Sequence, residues 1–412
     1  MDTILYLRKD NSVYLKNLFT ESICEISSLD FDSYENKNEL IKSIDTTLPF
    51  ISDKNDGNAD TLGVFVVCTM GCNLTCSYCF ENGKDRSIAV YDNNKEKVYS
   101  LIVEKFKRGG YKRLDLTFTG GEPLLNFSFI EWLSNKLKES FPPSSINFLL
   151  ITNGTIISKK IISFLAANDF TIQISFDGSM KSHNSERKNR LGKGTYSRII
   201  NNLDTYFKNC PLTKIRIRVN INNKNIEDIE SLFIDLSPYT KFPNFSLYFD
   251  FVAVPSSSNL YVNSENKKNI YKDLLSLMKT YGFTLPTELQ NGGKCMYKNN
   301  HGFTIHADGE VYKCYSLVGE KNHSIKDYTV NYEWEIQTLC SDKSCPYYEF
   351  CYGGCPYNEF VLHGKMSRDC QFDYLDFVNR LLFLIQIGIP INLAFNLTED
   401  VHILTVQEDS NV

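Results

Sequence analysis

Cysteines are the residues of this chain best suited to chemistry, and most of them fall into two groups. Four of the 13 cysteines lie within residues 68–79 and seven within residues 295–370, whereas Cys24 and Cys210 stand alone and are expected to be structural. The N-terminal residues lack the basic start and long apolar core of a signal peptide, so we expect a cytoplasmic protein. Disulfides seldom persist in that reducing compartment, and grouped cysteines there are interpreted first as metal ligands.

The first group has the spacing Cys72-x3-Cys76-x2-Cys79 and directly follows an apolar segment that predicts a strand. Three thiolates on one loop can bind three irons of a [4Fe–4S] cluster and leave the fourth iron without a protein ligand. That iron can chelate the amino and carboxylate groups of S-adenosylmethionine (SAM), and a low-potential cluster can supply the electron that cleaves SAM. A structural zinc site with Cys68 as the fourth ligand is the alternative interpretation.

Short strands and helices alternate from residue 63 to about residue 255, and the first cysteine group lies within this alternation. Six strands are predicted, at residues 63–68, 114–118, 146–151, 171–176, 215–221 and 247–252. With a helix of about 10–15 residues after most of the strands, this pattern is typical of right-handed βαβ units and a parallel sheet. We therefore predict an α/β fold with a partial (β/α)6 barrel, whose chemistry lies on the loops after the strands.

A glycine-rich motif follows the second predicted strand. It consists of Gly120, Gly121, Glu122 and Pro123. Glycines allow the backbone to approach a ligand closely, and either a backbone carbonyl or the Glu122 carboxylate can accept a hydrogen bond from the SAM ammonium group. The motif alone could be a simple turn, but its position one βα unit after the cysteines favours a role in SAM binding.

Polar residues also follow the later strands. Asn153 lies at the end of the third strand, and Ser175 and Asp177 lie at the end of the fourth, where they can form hydrogen bonds to the SAM carboxylate or ribose hydroxyls. Arg218 on the fifth strand can form a charge-assisted pair with the SAM carboxylate. The basic segment at residues 181–193 is expected to be solvated surface rather than a site.

Together these motifs resemble the radical SAM superfamily. The cysteine spacing, the aromatic Tyr78 before the last cysteine and the GGEP motif carry the resemblance. The segment that begins at Ser175 is similar to the peptide- and protein-modifying branch, in which Ser175, Asp177, His183 and Arg187 align with recurrent positions. The resemblance implies that a donor such as a flavodoxin or ferredoxin reduces the first cluster, and that a 5′-deoxyadenosyl radical then removes hydrogen from the substrate.

The second cysteine group resembles the seven-cysteine SPASM domain. Its order is Cys295-x13-Gly309-x4-Cys314, Cys340, Cys345-x5-Cys351-x3-Cys355 and Cys370. Asp342 stands where the family pattern has a cysteine, so Cys340 is expected to serve through an altered loop, with Asp342 as an alternative ligand. One or two zinc ribbons are the other interpretation, although two zinc sites with four cysteine ligands each need eight cysteines rather than seven.

The SPASM resemblance implies two auxiliary [4Fe–4S] clusters, and therefore three clusters in total. It assigns four cysteines to a distal cluster: Cys340, Cys345, Cys351 and Cys370. It assigns three cysteines to a proximal cluster: Cys295, Cys314 and Cys355. The segment before the first of these contains no fourth cysteine, so one iron of the proximal cluster is expected to be open. Such an iron would suit a substrate thiolate, because sulfur is a soft ligand.

The rest of the sequence gives the domain plan and excludes some partners. The plan has a small N-terminal region (1–60), the barrel (61–260), a helical connection (261–290), the SPASM domain (291–372) and a C-terminal helix and tail (373–412). The net charge of −5 indicates no basic face for nucleic acid, and no apolar run of about 18 residues predicts a membrane span. The pattern does not specify an oligomeric state.

SPASM enzymes usually act on peptides or proteins, so the resemblance implies a precursor-peptide substrate. We expect a maturase that forms a thioether or another crosslink, because an open iron favours sulfur chemistry. An anaerobic sulfatase maturase is the alternative, but in that family an Asp typically follows the cysteine equivalent to Cys314, where this chain has Tyr315. A non-catalytic Fe–S or zinc scaffold is a further alternative. Residues 1–60 are expected to be either a leader-peptide-binding element or a cap on the barrel.

Overall fold

The computed structural model describes residues 2–18, 22–35, 39–40, 60–287, 295–297, 301–325, 340–351 and 353–406. Most of the predicted polar linker at residues 52–60, and the segment directly before Cys295, lie outside the described residues. The described part forms a four-stranded sheet and a nine-stranded sheet. No helix within it is long and apolar enough to cross a membrane.

The small sheet begins the chain. Its first elements are β1 (Asp2–Lys9), β2 (Ser12–Asn17), β3 (Ile23–Ser27) and the helix α1 (Ser28–Ser33). The strands are antiparallel, and their alternating apolar residues Ile4, Val13 and Leu15 form a separate small core. The helix α1 begins where the Ser27 side chain accepts a hydrogen bond from the amide of Asp30.

Six parallel strands follow in the same order along the chain and across the large sheet. They are β4 (Thr61–Thr69), β5 (Arg113–Gly120), β6 (Ile146–Thr152), β7 (Thr171–Phe176), β8 (Lys214–Ile221) and β9 (Phe245–Phe251). Each of the six predicted strands is present. Because the strands are parallel and consecutive, their carboxyl ends lie along one edge of the sheet, where the motif residues are found.

Helices connect these strands and cover the sheet. They are α2 (Lys95–Arg108), α3 (Phe127–Ser140), α4 (Lys159–Ala167), α5 (Met180–Glu186), α6 (Tyr196–Asn209), α7 (Glu230–Leu236) and α8 (Ser264–Thr280). Val98, Ile102 and Phe106 recur every four residues in α2 and are buried, as expected for one helix face on the core. The predicted α/β fold class is confirmed.

The cysteine-rich region joins the barrel through a shared strand. Its strands are β10 (Gly302–Ile305), β11 (Val311–Tyr312) and β12 (Ser324–Ile325). The strand β10 pairs in parallel with β4, so that Gly302 lies opposite Gly63 and Ile305 lies opposite Val66. The sequence pattern does not predict this strand, because its four residues are too few to show a period.

The C-terminal part of the described chain is mostly helical, and its last strand pairs with the first strand of the chain. The last elements are α9 (Tyr348–Cys351), α10 (Pro356–His363), α11 (Phe372–Gln386), α12 (Ile391–Asn396) and β13 (His402–Val406). The helix α11 covers most of the helix expected near residues 374–387. The strand β13, which lies in the segment interpreted as a polar tail, pairs antiparallel with β1, with His402 opposite Tyr6.

Candidate active site and metal centres

The first three cysteines lie on a loop that leaves the carboxyl end of β4, and we call residues 70–80 the cysteine loop. The Sγ of Cys72 accepts a hydrogen bond from the amide of Leu74 at 3.4 Å. The Sγ of Cys79 accepts one from Nη2 of Arg86 at 3.5 Å. The thiolate is the form that binds metals. Burial raises the pKa of Cys72, and the hydrogen bond from Leu74 opposes that increase.

Cys72 and Cys79 lie close enough to Cys76 for their charges to affect its thiol. Burial raises the pKa of Cys76 to about 11, and the charges of Cys79 and Cys72 act in the same direction, whereas Arg187 opposes them. Three mutually repelling thiolates require a positively charged partner, and an iron–sulfur cluster provides it. No three His, Cys, Asp or Glu side chains among the described residues are arranged to hold a single metal ion.

The glycine pair after β5 packs against the backbone of the cysteine loop. A Cβ on Gly120 would lie 2.2 Å from the carbonyl oxygen of Thr69, and a Cβ on Gly121 would lie 2.4 Å from that of Gly71. Gly120 also has a φ of +134°. The amides of Gly121 and Glu122 donate hydrogen bonds of 2.9 Å to the carbonyls of Thr69 and Gly71. Glycine is therefore required at both positions by the protein itself, because its own backbone segments lie too close together to leave room for a Cβ.

The Glu122 carboxylate connects the ends of β5 and β6. It is fully buried and accepts hydrogen bonds from the amide of Leu124 (3.1 Å), the hydroxyl of Thr152 (2.7 Å) and the amide of Asn153 (2.8 Å). Burial raises the pKa of Glu122, whereas these three donors lower it. Pro123 follows as the first residue of a 3-10 turn, Pro123–Asn126. In this structure the Glu122 carboxylate already accepts hydrogen bonds from the protein itself. Of the two predicted acceptors for the SAM ammonium group, a backbone carbonyl is therefore favoured over this carboxylate.

Asn153 continues this connection to the cysteine loop. Its Nδ2 donates a hydrogen bond to Oδ1 of Asn73 at 2.8 Å and lies 3.9 Å from the Sγ of Cys72. Its Oδ1 accepts hydrogen bonds from the amide and hydroxyl of Thr155. Asn153 therefore reaches the neighbourhood of the first cysteine from the end of β6.

A buried polar network ties the cysteine loop to β7 and β8. The Tyr78 hydroxyl donates to the Asp177 carboxylate, and Nη1 of Arg187 donates to the same hydroxyl at 2.9 Å. Nδ2 of Asn220 donates to Asp177 at 2.9 Å and to Tyr78 at 3.2 Å. The amide of Asp177 lies 3.4 Å from Nδ1 of His183. The structure thus brings Tyr78 and Asp177 together, and their role in SAM binding stays a prediction.

Ser175 and Arg218 lie opposite each other on β7 and β8, at the inner face of the barrel. Nη2 of Arg218 lies 3.2 Å from Oδ2 of Asp250 on β9. Burial disfavours the charge, but Asp250 and Tyr315 raise the pKa of Arg218 above its ordinary value. Arg218 therefore already has a carboxylate partner within the chain, whereas no hydrogen bond of the Ser175 side chain occurs in the described residues.

Four cysteines of the second group surround one pocket with an empty volume of about 290 Å³. They are Cys340, Cys345, Cys351 and Cys370. Nη2 of Arg368, which also lines the pocket, donates to the Sγ of Cys370 at 3.4 Å. Asp342 does not line it: its carboxylate is exposed and accepts from the amide and hydroxyl of Ser344. These four cysteines are the set expected for the distal cluster, and their thiol chemistry fits it.

The other three cysteines of this group also lie near one another. The pKa of Cys314 is raised to about 12, mainly by burial, and the charges of Cys295 and Cys355 act in the same direction. Tyr357 on α10 is close enough to Cys314, Cys355 and Cys79 for their charges to raise its pKa, with burial as the main cause. This tyrosine is therefore near Cys79 of the cysteine loop and near two of the three cysteines expected to hold the proximal cluster.

Sequence reasoning missed several residues that the structure places at these sites. They are Arg86, Asn220, Asp250, Tyr357 and Arg368. Only Asn220 and Asp250 could have been found from the sequence pattern. Both lie near the carboxyl ends of predicted strands, β8 and β9, at positions that face the inside of the barrel. The other three lie in loops or in a short helix, where spacing carries no information about contacts.

Comparison with known proteins identifies the barrel. Residues 66–236 match the family model of the radical SAM superfamily. The cysteine-type anaerobic sulfatase-maturating enzyme of Clostridium perfringens (strain 13 / Type A) is 25% identical over 354 residues, which cover 74% of this chain and 90% of the relative.

Two solved structures share the fold. The native protein anSMEcpe with bound AdoMet and Kp18Cys peptide superposes with a TM-score of 0.63 at 18% identity, over 82% of this chain and 99% of that one. Streptococcus suis SuiB bound to precursor peptide SuiA superposes with a TM-score of 0.56 at 16% identity, over 90% of this chain and all (100%) of that one.

The fold, the cysteine loop and these matches define a radical SAM enzyme. Residues 66–236 match the radical SAM superfamily and form a radical SAM domain, as the sequence motifs predict. This match supports SAM and an iron–sulfur cluster as the cofactors of this domain.

Proposed function

We propose that this enzyme is a peptide maturase that forms a thioether or another crosslink in a ribosomally made precursor peptide. The observation that carries the proposal is Tyr315, directly after Cys314, where sulfatase maturases typically have an Asp. Its ring stacks on Phe65 of β4 (centroids 5.3 Å apart, planes at 10°) and meets Phe80 of the cysteine loop edge-on at 5.6 Å. An aromatic wall therefore replaces the carboxylate base at this position.

The similar solved structures support a peptide as the substrate class. The protein anSMEcpe is bound to the Kp18Cys peptide, and SuiB is bound to its precursor peptide SuiA. In the present chain, the aromatic residues around Tyr315 offer an apolar contact surface, and the Arg218–Asp250 pair offers charged groups at the inner face of the barrel. Both features suit a side chain of a peptide better than a small rigid metabolite.

Each residue of the first site has a proposed role in binding the cluster, SAM or the substrate. The thiols of Cys72, Cys76 and Cys79 would hold the first cluster, which when bound supplies the electron for SAM cleavage. Asn153, Ser175 and Asp177, together with the backbone of the motif that begins at Gly120 and Gly121, would hold SAM. Tyr78 would orient this cradle through its contact with Asp177. Arg218 is proposed to act at the substrate side, beside Asp250.

Two auxiliary clusters complete the proposed site. The pocket with four cysteines would hold the distal one. Cys295, Cys314 and Cys355 would hold the proximal one, with an open iron for a substrate sulfur. We expect Cys340→Ser to lower the iron content of the reconstituted enzyme by up to about four irons, the content of one [4Fe–4S] cluster. The matched variant Asp342→Ala is expected to keep the full content. The opposite result would make Asp342 the ligand.

The N-terminal sheet is proposed to bind the leader of the precursor. Its edge strands are β3 and β13, and a leader can add to an exposed edge as a further strand. The sheet is also fixed to the rest of the enzyme, because Thr3 donates to the carbonyl of Pro346 (2.7 Å) and Lys16 donates to Gln386 (2.8 Å). Deletion of residues 1–55 with unchanged leader affinity would leave only the role of a cap.

Sulfatase maturation is the second candidate function. The Clostridium perfringens relative favours it, and so does Asp250, a half-exposed carboxylate that lies 3.2 Å from Arg218 and can supply a base from β9 instead of from the residue after Cys314. In that case Asp250→Asn would abolish aldehyde formation on a cysteine-containing sulfatase peptide.

One experiment separates the two functions. The anaerobically reconstituted enzyme is incubated with SAM and dithionite, and with either precursor peptides or a sulfatase peptide, and the products are analysed by mass spectrometry. The expected result is loss of two hydrogens from a cysteine-containing precursor peptide, with 5′-deoxyadenosine formed in parallel. The control Cys76→Ala should form neither product. A hydrazide-reactive aldehyde on the sulfatase peptide would overturn the ranking, and no 5′-deoxyadenosine with any peptide would favour the scaffold alternative.

A further inference from the structure

The segment between α5 and α6 carries a positive charge that the proposed function does not use. We call residues 187–195 the basic loop. Lys188, Arg190 and Lys193 are exposed there, and residues 187–203 contain no Asp or Glu. In the described part of the chain, none of these three side chains forms an ion pair. Because the whole chain has a net charge of −5, this loop is a local exception.

The basic loop lies directly on the cysteine loop. The amide of Thr75 donates to the carbonyl of Lys188 at 2.8 Å, and Nε of Arg190 donates to the carbonyl of Cys72 at 3.0 Å. Between these contacts, Leu74 and Asn189 form an isolated antiparallel bridge. Bridged backbones lie about 5 Å apart. A molecule bound to the basic loop is therefore separated from the proposed ligands of the first cluster only by the basic loop itself.

The tip of the basic loop is apolar. Leu191 is 81% exposed and lies between Arg190 and Lys193 along the chain. An exposed apolar residue within a basic rim suits a brief protein contact, in which charges guide the approach and a small apolar patch makes the contact. A stable interface would need a much larger apolar area.

We propose that the basic loop is the docking surface for an acidic one-electron carrier protein that reduces the first cluster. The inference rests on the proposed role of the cysteine loop. In the step concerned, the carrier loses one electron to that cluster, and no bond forms or breaks. A carrier fits better than the substrate peptide, because an electron needs only proximity to the cluster, whereas a reacting peptide carbon must reach SAM inside the barrel.

The test reverses two charges without touching the cysteine loop. The variant is Lys188→Glu with Lys193→Glu; Arg190 stays unchanged because its side chain contacts Cys72. The matched control is Lys107→Glu with Lys208→Glu. These two exposed lysines lie in the last turns of α2 and α6, at the opposite end of the barrel, since each helix returns the chain to the start of the next strand.

Two reductants separate docking from catalysis. Formation of 5′-deoxyadenosine is measured with a reduced acidic flavodoxin over a range of concentrations, and separately with dithionite, at low and high salt. Binding of the flavodoxin to the holoenzyme is measured directly as well. We expect the variant to lose about tenfold or more of kcat/KM for flavodoxin at low salt, with a smaller loss at high salt. Its dithionite rate and the behaviour of the control variant should equal those of the wild type.

Several outcomes would overturn the inference. An unchanged flavodoxin dependence in the variant would exclude docking at this loop, and an equal loss with dithionite would show that the loop affects the cluster itself. A change only in the KM for the peptide would assign the loop to the substrate. If the wild type forms no 5′-deoxyadenosine even with dithionite, the proposed function fails instead, and the direct binding measurement still decides whether flavodoxin docks here.

Discussion

Polar groups hold the cysteine loop from two sides. Arg86 donates to the carbonyl of Met70 (3.3 Å), to the Sγ of Cys79 (3.5 Å) and to the carboxylate of Glu81 (3.0 Å). On the other side, the amide of Glu122 donates to the carbonyl of Gly71. Hydrogen bonds to cluster sulfurs are among the factors that set the potential of an iron–sulfur cluster. Arg86 is therefore expected to affect the cluster without ligating it.

The carboxylate of Glu122 provides a direct test of this support. We expect Glu122→Gln to lower the free energy of unfolding by about 1–3 kcal/mol, because an amide group would face at least one donor that the carboxylate accepts from. Urea unfolding of the enzyme measures the change. The control Glu131→Gln removes a partly exposed carboxylate that pairs with Lys160, and should cost less than about 0.5 kcal/mol. Equal costs for the two variants would contradict the role of Glu122.

Gly120 tests the close approach of the two loops. In Gly120→Ala the new Cβ would lie 2.2 Å from the carbonyl oxygen of Thr69, at a φ of +134°, so the cysteine loop must move. We expect a large loss of soluble protein and of iron per chain. Gly110→Ala is the matched control, since its φ is +67° but nothing lies within 4 Å of the added Cβ. It should cost only about 1–2 kcal/mol for the left-handed conformation.

At the scale of the elements, the sequence pattern predicts those whose signal is local. The six barrel strands are segments of at least five residues in which apolar residues either follow one another or alternate with polar ones, and each is present. The strands β10 and β13 are short, and their partners β4 and β1 lie far away in the chain. Similarly, the type of Tyr78 is visible in the sequence, but its contact with Asp177, 99 positions away, is not. Such contacts are set by the order of the strands in the sheet rather than by local propensity.

The pairing of β13 with β1 gives a prediction at the same scale. A chain that ends at Asp400 lacks β13 and leaves one edge of β1 unpaired. We expect the amides of β1 to exchange with deuterium faster, because they lose part of their hydrogen-bonded ladder. Hydrogen exchange with mass spectrometry measures this change. A chain that ends at Val406 keeps the strand and serves as the control, so faster exchange in both chains would disprove the role of β13.

At the scale of the whole molecule, the cysteine-rich region is part of the barrel sheet rather than an attached module. Phe303 and Ile305 of β10 are buried beside Val64 and Val66 of β4. A chain that ends at residue 287 would expose this edge of β4 and its apolar neighbours. We expect that fragment to aggregate, because long apolar edges pair with other chains. Size-exclusion chromatography after expression tests this expectation.

A full-length variant separates the loss of the strand from the loss of the auxiliary clusters. In it the seven cysteines of residues 295–370 are changed to Ser, so β10 remains while the proposed auxiliary ligands are absent. We expect this variant to stay monodisperse and to bind about four irons, those of the first cluster. Aggregation of both proteins would show that the auxiliary clusters, rather than β10, protect the edge of β4.

The pairing of β1 with β13 also has a consequence for synthesis on the ribosome. The first strand of the described chain has one neighbour, β2, directly after it, but its other neighbour lies at the far end of the described chain. The small sheet can therefore be completed only after the barrel and both cysteine groups have emerged. If the leader pairs with β13, an unfinished enzyme cannot recruit a precursor, and the order of synthesis itself protects the peptide from a catalyst without its clusters.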